Sequence, residues 1–545
     1  MATDALRVFF TLGRHLKQEW KAKVFLGRCL ALSLAICSWT TFGLSKPQAS
    51  PSELFQEIQQ LIQKGDIAQA RMKLTQILTA APDDPNALNF LGVVDAQEGK
   101  YRAAEEDFRK AMGRAPHFTG AYLNLGRLYQ ENAGKDPGAL KKAAGVYEQV
   151  LSFEPANLEA VYQSALVLWR LGSFQASLDR LSRLPAEAQS RPQALAVRCG
   201  DYAGLNELPQ AKSAADQLLK RSDLTQADVF TLLPFLLAHH REEIAQRLLE
   251  GLDQRGLASA DALEQLAALY EGRGKLDQAR ALLERVAQLQ NFPVPLLIRL
   301  ARLAYRQEDY EGALGYLAHA RDLEPQNAGV HFFFGLVCVE MNLVQEAYTS
   351  LQKAVELNPD NPYYNYALGA VMMSRQNVRE AYPYLKKYCT LRPEDPRGRL
   401  ALGAAYFYGH DIELAIQELQ SAVKYPQTAA SAHYFLGRLE NQKGDFAGAM
   451  KELEEAIKLH PRYDDAYAEI GLLYMKQKEY TKSEENLQKA LGMNPDNYTA
   501  NLNLMILYQR TKDPRADAQT KRFEKLRKTR AEREKEFLRT IEVRP

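Results

Sequence analysis

Cysteine is scarce in this 545-residue chain, with five in all, and Cys29 and Cys37 fall in an apolar stretch near the N-terminus. The other three, Cys199, Cys338 and Cys389, lie far apart and form no CxxC pair. That excludes a disulfide framework and a zinc ribbon and leaves buried, inert thiols as the expectation. Catalytic signatures are missing as well: no GxxxxGK[ST] phosphate loop, no GxSxG elbow and no HExxH occurs. The nearest metal-like grouping, His239, His240, Glu242 and Glu243, lacks the spacing of a metal site and reads as a solvated turn. No metal, no cofactor and no enzymatic activity are therefore expected.

Charge of one sign is not in excess either, since 69 Lys and Arg oppose 67 Asp and Glu for a net +2. The basic residues sit at the ends. Residues 1–45 hold six against two acids and residues 510–545 hold thirteen against seven, so the body between carries −8. A net-acidic body argues against a nucleic-acid partner, which requires a basic face to neutralise phosphates. The 46% hydrophobic and 25% charged composition excludes collagen-like and wholly disordered chains.

Residues 1–45 read as a targeting segment. Arg7, Arg14, Lys17, Lys21, Lys23 and Arg28 precede the uncharged run Cys29–Ser45, CLALSLAICSWTTFGLS, in the order of a secretory signal peptide. An uncleaved inner-membrane anchor is the alternative, and in both cases the body is exported, to the periplasm or beyond. Lipidation is not expected, because Ile36 precedes Cys37 and Arg28 precedes Cys29.

The body is periodic. Pro325, Pro359, Pro393, Pro461 and Pro495 recur at 34 residues or twice that, with Pro426 one place early in the gap. Gly335, Gly369, Gly403, Gly437 and Gly471 follow the same interval, as do Ala313, Ala347, Ala381, Ala415 and Ala449. Extended backwards, the grid gives repeat starts at 294, 260, 226, 192 and 158, then, across a five-residue insertion near ENAGKDPGAL, at 119, 85 and 51. With a last start at 498 this makes fourteen repeats. In 430–463 the first helix (A) carries Tyr434, Leu436 and Gly437 and the second (B) carries Phe446, Ala449, Leu453 and Ala456, each an apolar stripe at helical spacing. Gly437 and Ala449 are small because the helices cross there at close range, and Pro461 ends helix B. One repeat cannot bury its stripe alone, so stacking creates the core.

These residues resemble the tetratricopeptide repeat (TPR) family: 34 residues, small side chains at positions 8, 20 and 27, and Pro at 32. The likeness covers 51 to about 527. Position 8 is Gly or Ala in ten repeats, and position 20 is Ala in all but three, which carry Ser177, Ser483 and Asp517. The family's Trp at position 4 is absent, a place expected to need only a packing residue. The resemblance implies an all-α, right-handed superhelical solenoid of about fourteen antiparallel helix pairs. Five segments are expected: the leader 1–45, a regular block 51–157, an eroded block 158–293, a regular block 294–512 and a basic charged capping helix 513–545. Pro234 falls inside a helix A of the eroded block, so that block reads as a bend or hinge, and Pro383, inside a helix B of the regular block, is a second candidate kink, unless the prolines are absorbed locally.

The resemblance also implies noncatalytic binding of partner polypeptides in a concave groove formed by the A helices, whose inward residues come from positions 2, 5, 9, 12 and 13. On this register the candidates are Phe332, Leu336, Val339, Tyr363, Tyr366, Met373, Leu400, Phe407, Tyr408 and Tyr434, an aromatic set of a kind enriched at interfaces. The competing reading packs these rings between neighbouring A helices. Asn89 and Asn124 lack the lysines of the clamp by which some family members grip an acidic C-terminus. By analogy with exported members, the expected setting is envelope or secretion-apparatus assembly; a polysaccharide-export or carbohydrate-binding solenoid and a subunit positioning a separate enzyme are alternatives. Membrane contact is expected only through the N-terminal segment, with the basic C-terminal helix as a second candidate.

Overall fold

The computed structural model describes residues 51–375 and 377–528. The expected leader, 1–45, and the end of the basic tail, with Phe537, Leu538 and Ile541, lie outside the described residues. Among those described there are twenty-nine α-helices and no strand. Fourteen A–B pairs account for all but the four-residue helix Ala186–Gln189. The chain divides between Ala262 and Leu263 into two compact units, inside the eroded block.

Thirteen of the fourteen A helices begin at the residue that the 34-residue grid predicts. The exception is Pro426–Lys443, which begins four residues before 430 and runs to 18 residues. Its cause is local: Pro426 takes the first helical position, where its missing N–H costs nothing and its fixed φ starts a helix, and the preceding helix B shortens to Ile412–Val423. At several other repeats the side chain at position 34 caps the next A helix, as Asp84, Asn327 and Asn497 do by accepting a bond from the backbone N–H three residues on.

The close crossing is real, and its partner is more specific than the sequence indicated. A Cβ on Gly335, Gly369, Gly403, Gly437 or Gly471 would lie 2.6–2.8 Å from the leucine at position 24 of its own helix B. The alanine at position 20 contributes its backbone, with the Ala449 carbonyl 3.1 Å from the Cβ position of Gly437. Ala415 is fully buried in this arrangement. Ala415→Leu is expected to overpack it and lower stability by roughly 1–3 kcal/mol, read as a fall in the urea midpoint; an unchanged midpoint would mean the crossing lies elsewhere.

Position 4 does more than pack, which corrects the expectation that any packing residue suffices there. Tyr122, His331, Asn365 and Asn501 place a polar group 2.8–3.0 Å from the carbonyl oxygens of Pro116, Pro325, Pro359 and Pro495, each at position 32 of the preceding repeat. A backbone acceptor at the turn between repeats is thus satisfied by a side chain, as buried polar groups require.

A second device recurs at position 15. Its backbone is left-handed at Gly65, Gly99, Gly172, Gly274 and Gly444, and equally at Asn206, His240, Glu308, Asn342, His410, Lys478 and Lys512. This is the single-residue reversal that closes the end of a helix.

In the first compact unit the eroded repeats remain fully helical. Pro234 lies inside Gln226–Ala238, which stays one helix begun by a Thr225–Asp228 capping box. The helices draw close where side chains vanish: a Cβ on Gly204 would lie 2.5 Å from the Phe174 ring. Phe235 reaches Trp169, two repeats back, with ring centroids 5.2 Å apart. His239 stacks on Phe235 at 4.1 Å and His240 faces Glu242 at 3.6 Å, both at an exposed turn. Among the described residues no group of His, Cys, Asp and Glu could hold a metal. In the second unit Pro383 lies inside Val378–Leu391, likewise unbroken. The described part of the basic tail is helix B of the last repeat: Ala516–Lys528 buries Phe523 against Tyr498, and Gln519 Nε2 donates to the Asn501 backbone carbonyl at 3.1 Å.

Candidate functional site

In the second compact unit, positions 2, 5, 9, 12 and 13 fall within about 100° of arc on each A helix, at 100° per residue. Residues at these positions reach one another from helix to helix. Tyr305 donates to Glu340 at 2.9 Å, and Arg438 bonds the Tyr408 hydroxyl at 3.4 Å. The result is one continuous A-helix face.

The ten candidates divide by exposure. Leu336, Tyr366, Met373, Leu400, Phe407 and Tyr434 are buried, packed as the competing reading had them, between A helices. Phe332, Val339 and Tyr408 are half-buried, and Tyr363 is 46% exposed. Most of the ring faces are covered by protein: Phe332 lies 4.7 Å from Tyr364, Tyr366 lies 4.8 Å from Tyr388 and Tyr434 lies 5.1 Å from Tyr463. Apposed rings at these distances attract through their quadrupoles. Tyr363 accepts a bond from Arg392 Nη1 at 2.8 Å.

Three of these rings, Phe407, Tyr408 and Tyr434, meet a residue that the aromatic pattern did not single out. The Arg438 guanidinium lies 4.7 Å from the centroid of Phe407, 5.5 Å from Tyr434 and 5.9 Å from Tyr408, and its Nε is 3.2 Å from the buried Glu469 Oε1. Burial opposes the Arg438 charge, but the pull of Tyr434, Glu469 and Tyr408 outweighs it and holds the guanidinium above its usual pKa. Burial pushes the Glu469 carboxyl up, against Arg438 and Lys476. Arg438 occupies position 9, one of the lining positions, so reading those positions for charge as well as for aromatics would have found it. A second arginine, Arg397, is gripped by the Asp395 carboxylate at 2.6–3.1 Å, and Asp395 accepts in turn from Tyr388 at 2.6 Å. The face holds side chains for binding and orienting.

A cavity of about 640 Å³ opens elsewhere, by the B helices Tyr310–Leu323 and Val344–Leu357, with Arg321, Asp322, Lys353 and Glu356 on its walls. Its charges are of both signs and converge on no single group.

Family models described as tetratricopeptide repeat match residues 55–117, 259–291, 304–371 and 464–497, and one described as TPR repeat matches 437–478. The chain is a tetratricopeptide-repeat protein. TPR proteins are in general interaction scaffolds, and an all-α repeat array is the fold observed. Among curated relatives, cellulose synthase operon protein C of Xanthomonas axonopodis pv. citri is 27% identical over 280 residues, 46% of this TPR chain. That match spans 17% of the relative's length. Among solved structures, a TPR protein from Parabacteroides merdae is 16% identical with a TM-score of 0.40, covering 46% of this chain and 98% of that one. YrrB, titled a TPR protein with an unusual peptide-binding site, is 22% identical with a TM-score of 0.31, covering 34% and 95%.

Proposed function

We propose that this TPR protein is an exported, noncatalytic scaffold that binds partner polypeptides on the A-helix face of residues 328–442 and serves envelope or secretion-apparatus assembly. The observation that supports the binding reading is the exposed and half-buried set Tyr363, Tyr408, Val339 and Phe332 on the A-helix face, with Tyr408 beside the fixed Arg438. The export reading is supported by the order of basic and apolar residues in 1–45. N-terminal sequencing of the protein recovered from the envelope tests it: a start after about residue 45 supports cleavage, a start near residue 1 in a membrane fraction supports an anchor, and a soluble cytoplasmic chain overturns export.

The binding test is a crosslinked pull-down from an envelope extract, comparing the chain with a Tyr363→Ala, Val339→Thr variant. These two sites are chosen because truncating the buried Tyr366 or Phe407 would cost about 3–5 kcal/mol and confound binding with folding. A defined protein captured by the parent chain, and at least tenfold less by the variant at unchanged melting temperature, is the expected outcome; equal capture moves the site off this face. A second reading, an array serving polysaccharide export, is favoured by the similarity to cellulose synthase operon protein C. Capture that survives protease treatment of the extract but not glycosidase treatment would support that reading instead.

A further inference from the structure

We infer that the outer face of the helix Ala516–Lys528 rests on an anionic phospholipid surface, held there by a stripe of three lysines. The inference goes beyond the scaffold reading and does not depend on it. Lys521, Lys525 and Lys528 stand at i, i+4 and i+7, within about 60° of arc at 100° per residue, and all three are exposed. On the opposite side of the helix Gln519 bonds the Asn501 backbone and Phe523 packs on Tyr498. Gln519 and Phe523 are buried, so these contacts fix the rotation of the helix and turn the lysines outward.

The charge of the stripe is not neutralised within the array. Asp517 and Glu524 each stand one turn from a stripe lysine, yet among the described residues neither makes an ion pair with it. Arg515, by contrast, is held by Glu484 and Asp513 at 2.6–2.7 Å. Arg522 flanks the stripe and donates to a neutral acceptor, the Pro495 carbonyl, at 2.6 Å. The helix carries five cations against two acids, an excess of three, and no other described helix B exceeds two. A solenoid needs polar faces where it meets water, but not faces of one sign: the first described helix, Pro51–Lys64, sets Glu53 and Glu57 against Lys64.

The make-up of the face selects among anionic occupants. An acidic protein would bury an apolar core in its interface, and the outer side of this helix offers nothing apolar larger than the Ala518 methyl. A layer of anionic headgroups asks only for cations on one side of a helix, each adding attraction within about a Debye length. The sequence beyond Lys528 has the same bias. Residues 529–545 hold five cations and four acids around the large apolar Phe537, Leu538 and Ile541, a composition that suits the boundary between headgroups and acyl chains.

The test uses the full chain with vesicles of phosphatidylcholine, alone or with about 30% phosphatidylglycerol. Lysine acetylation followed by mass spectrometry reads each site by itself, apart from any contact that residues 1–45 make. Lys521, Lys525 and Lys528 should react at least fivefold more slowly on the anionic vesicles than on the neutral ones, while the exposed Lys141, Lys424 and Lys451 change less than twofold. The protection should disappear in about 0.5 M salt. Lys521→Glu with Lys525→Glu should cut the protection of Lys528 at least threefold at unchanged melting temperature, and Lys521→Gln with Lys525→Gln should act in the same direction. Lys141→Glu with Lys451→Glu, the same charge change on other B helices, should leave it within about 1.5-fold. Equal reaction on the two kinds of vesicle, or equal loss in both charge-reversed variants, overturns the inference. Protection by free glycerol phosphate at the same phosphate concentration overturns the need for a surface, and equal protection by polyglutamate of the same total charge overturns lipid as the occupant. Either result leaves Tyr363-dependent capture as it was, so this inference and the scaffold reading fail separately.

Discussion

Arg438→Ala is expected to destabilise the second compact unit by about 3–5 kcal/mol, because it leaves a carboxyl group, Glu469, buried without its cation. The attraction of the guanidinium to three rings adds about 0.5–2 kcal/mol at such partly desolvated sites, and its stem also packs on them. The two effects separate experimentally. Arg438→Met with Glu469→Gln removes both charges while keeping apolar volume, and should recover most of the loss, as neutral replacements of buried pairs do. Arg438→Lys should recover little, since an ammonium cannot stack on Phe407 as a planar guanidinium does. Urea midpoints of the four proteins decide it; a loss under about 1 kcal/mol for Arg438→Ala would mean that Glu469 is solvated.

The second large effect is a pH dependence in the first compact unit. Ser177 takes the place of the usual alanine at position 20, with its Oγ 2.9 Å from the Ala165 carbonyl and 2.8 Å from Asp201 Oδ2. A hydroxyl has one proton, so it can donate to one of these acceptors only. Both contacts are hydrogen bonds if the carboxyl is protonated and donates to Ser177, which in turn donates to Ala165. Asp201 is fully buried, and burial pushes its pKa up to about 8, against the Ser177 bond and the Arg198 charge. The unfolded chain releases this proton near pH 4, whereas the folded chain keeps it to about pH 8. Between those values the folded state binds more protons, so stability falls as pH rises, by up to roughly 1.4 kcal/mol per pH unit for one group, and levels off above. Asp201→Asn supplies the donor at every pH. It should be near neutral at pH 4 and stabilise by a few kcal/mol at pH 8.5, relative to the parent chain. Parallel urea midpoints for the two proteins across that range would show instead that Asp201 ionises freely.

Much of this fold was legible because its strongest signals are hard steric ones. Glycine at position 8 and proline at position 32 tolerate few substitutes, so they keep the register, and thirteen A helices begin where that register puts them. What escaped reading involves interactions that several residue types can make. The bond to the position-32 carbonyl is made by tyrosine, histidine or asparagine, which share a donor and nothing else. The early start at Pro426 follows from one displaced proline whose local preference prevailed over the grid. The site was legible in position and less so in exposure. Periodicity assigns Tyr366, Phe407 and Tyr434 to the A-helix face, but whether a ring there meets solvent depends on Arg438, Tyr388 and Tyr463 in neighbouring elements.

The left-handed residue at position 15 turns the array into something that can be edited link by link. Among the described residues, seven repeats carry a side chain on that backbone, Glu308, His410 and Lys478 among them, and each such residue sits in a conformation that disfavours it by about 1 kcal/mol relative to glycine. Because a stacked array gains its stability from single repeats and their nearest neighbours, exchanging one of these for glycine should firm up that repeat and those beside it, with little effect farther along. A set of such exchanges, read by hydrogen exchange along the chain, would tune which stretch opens first without touching the A-helix face.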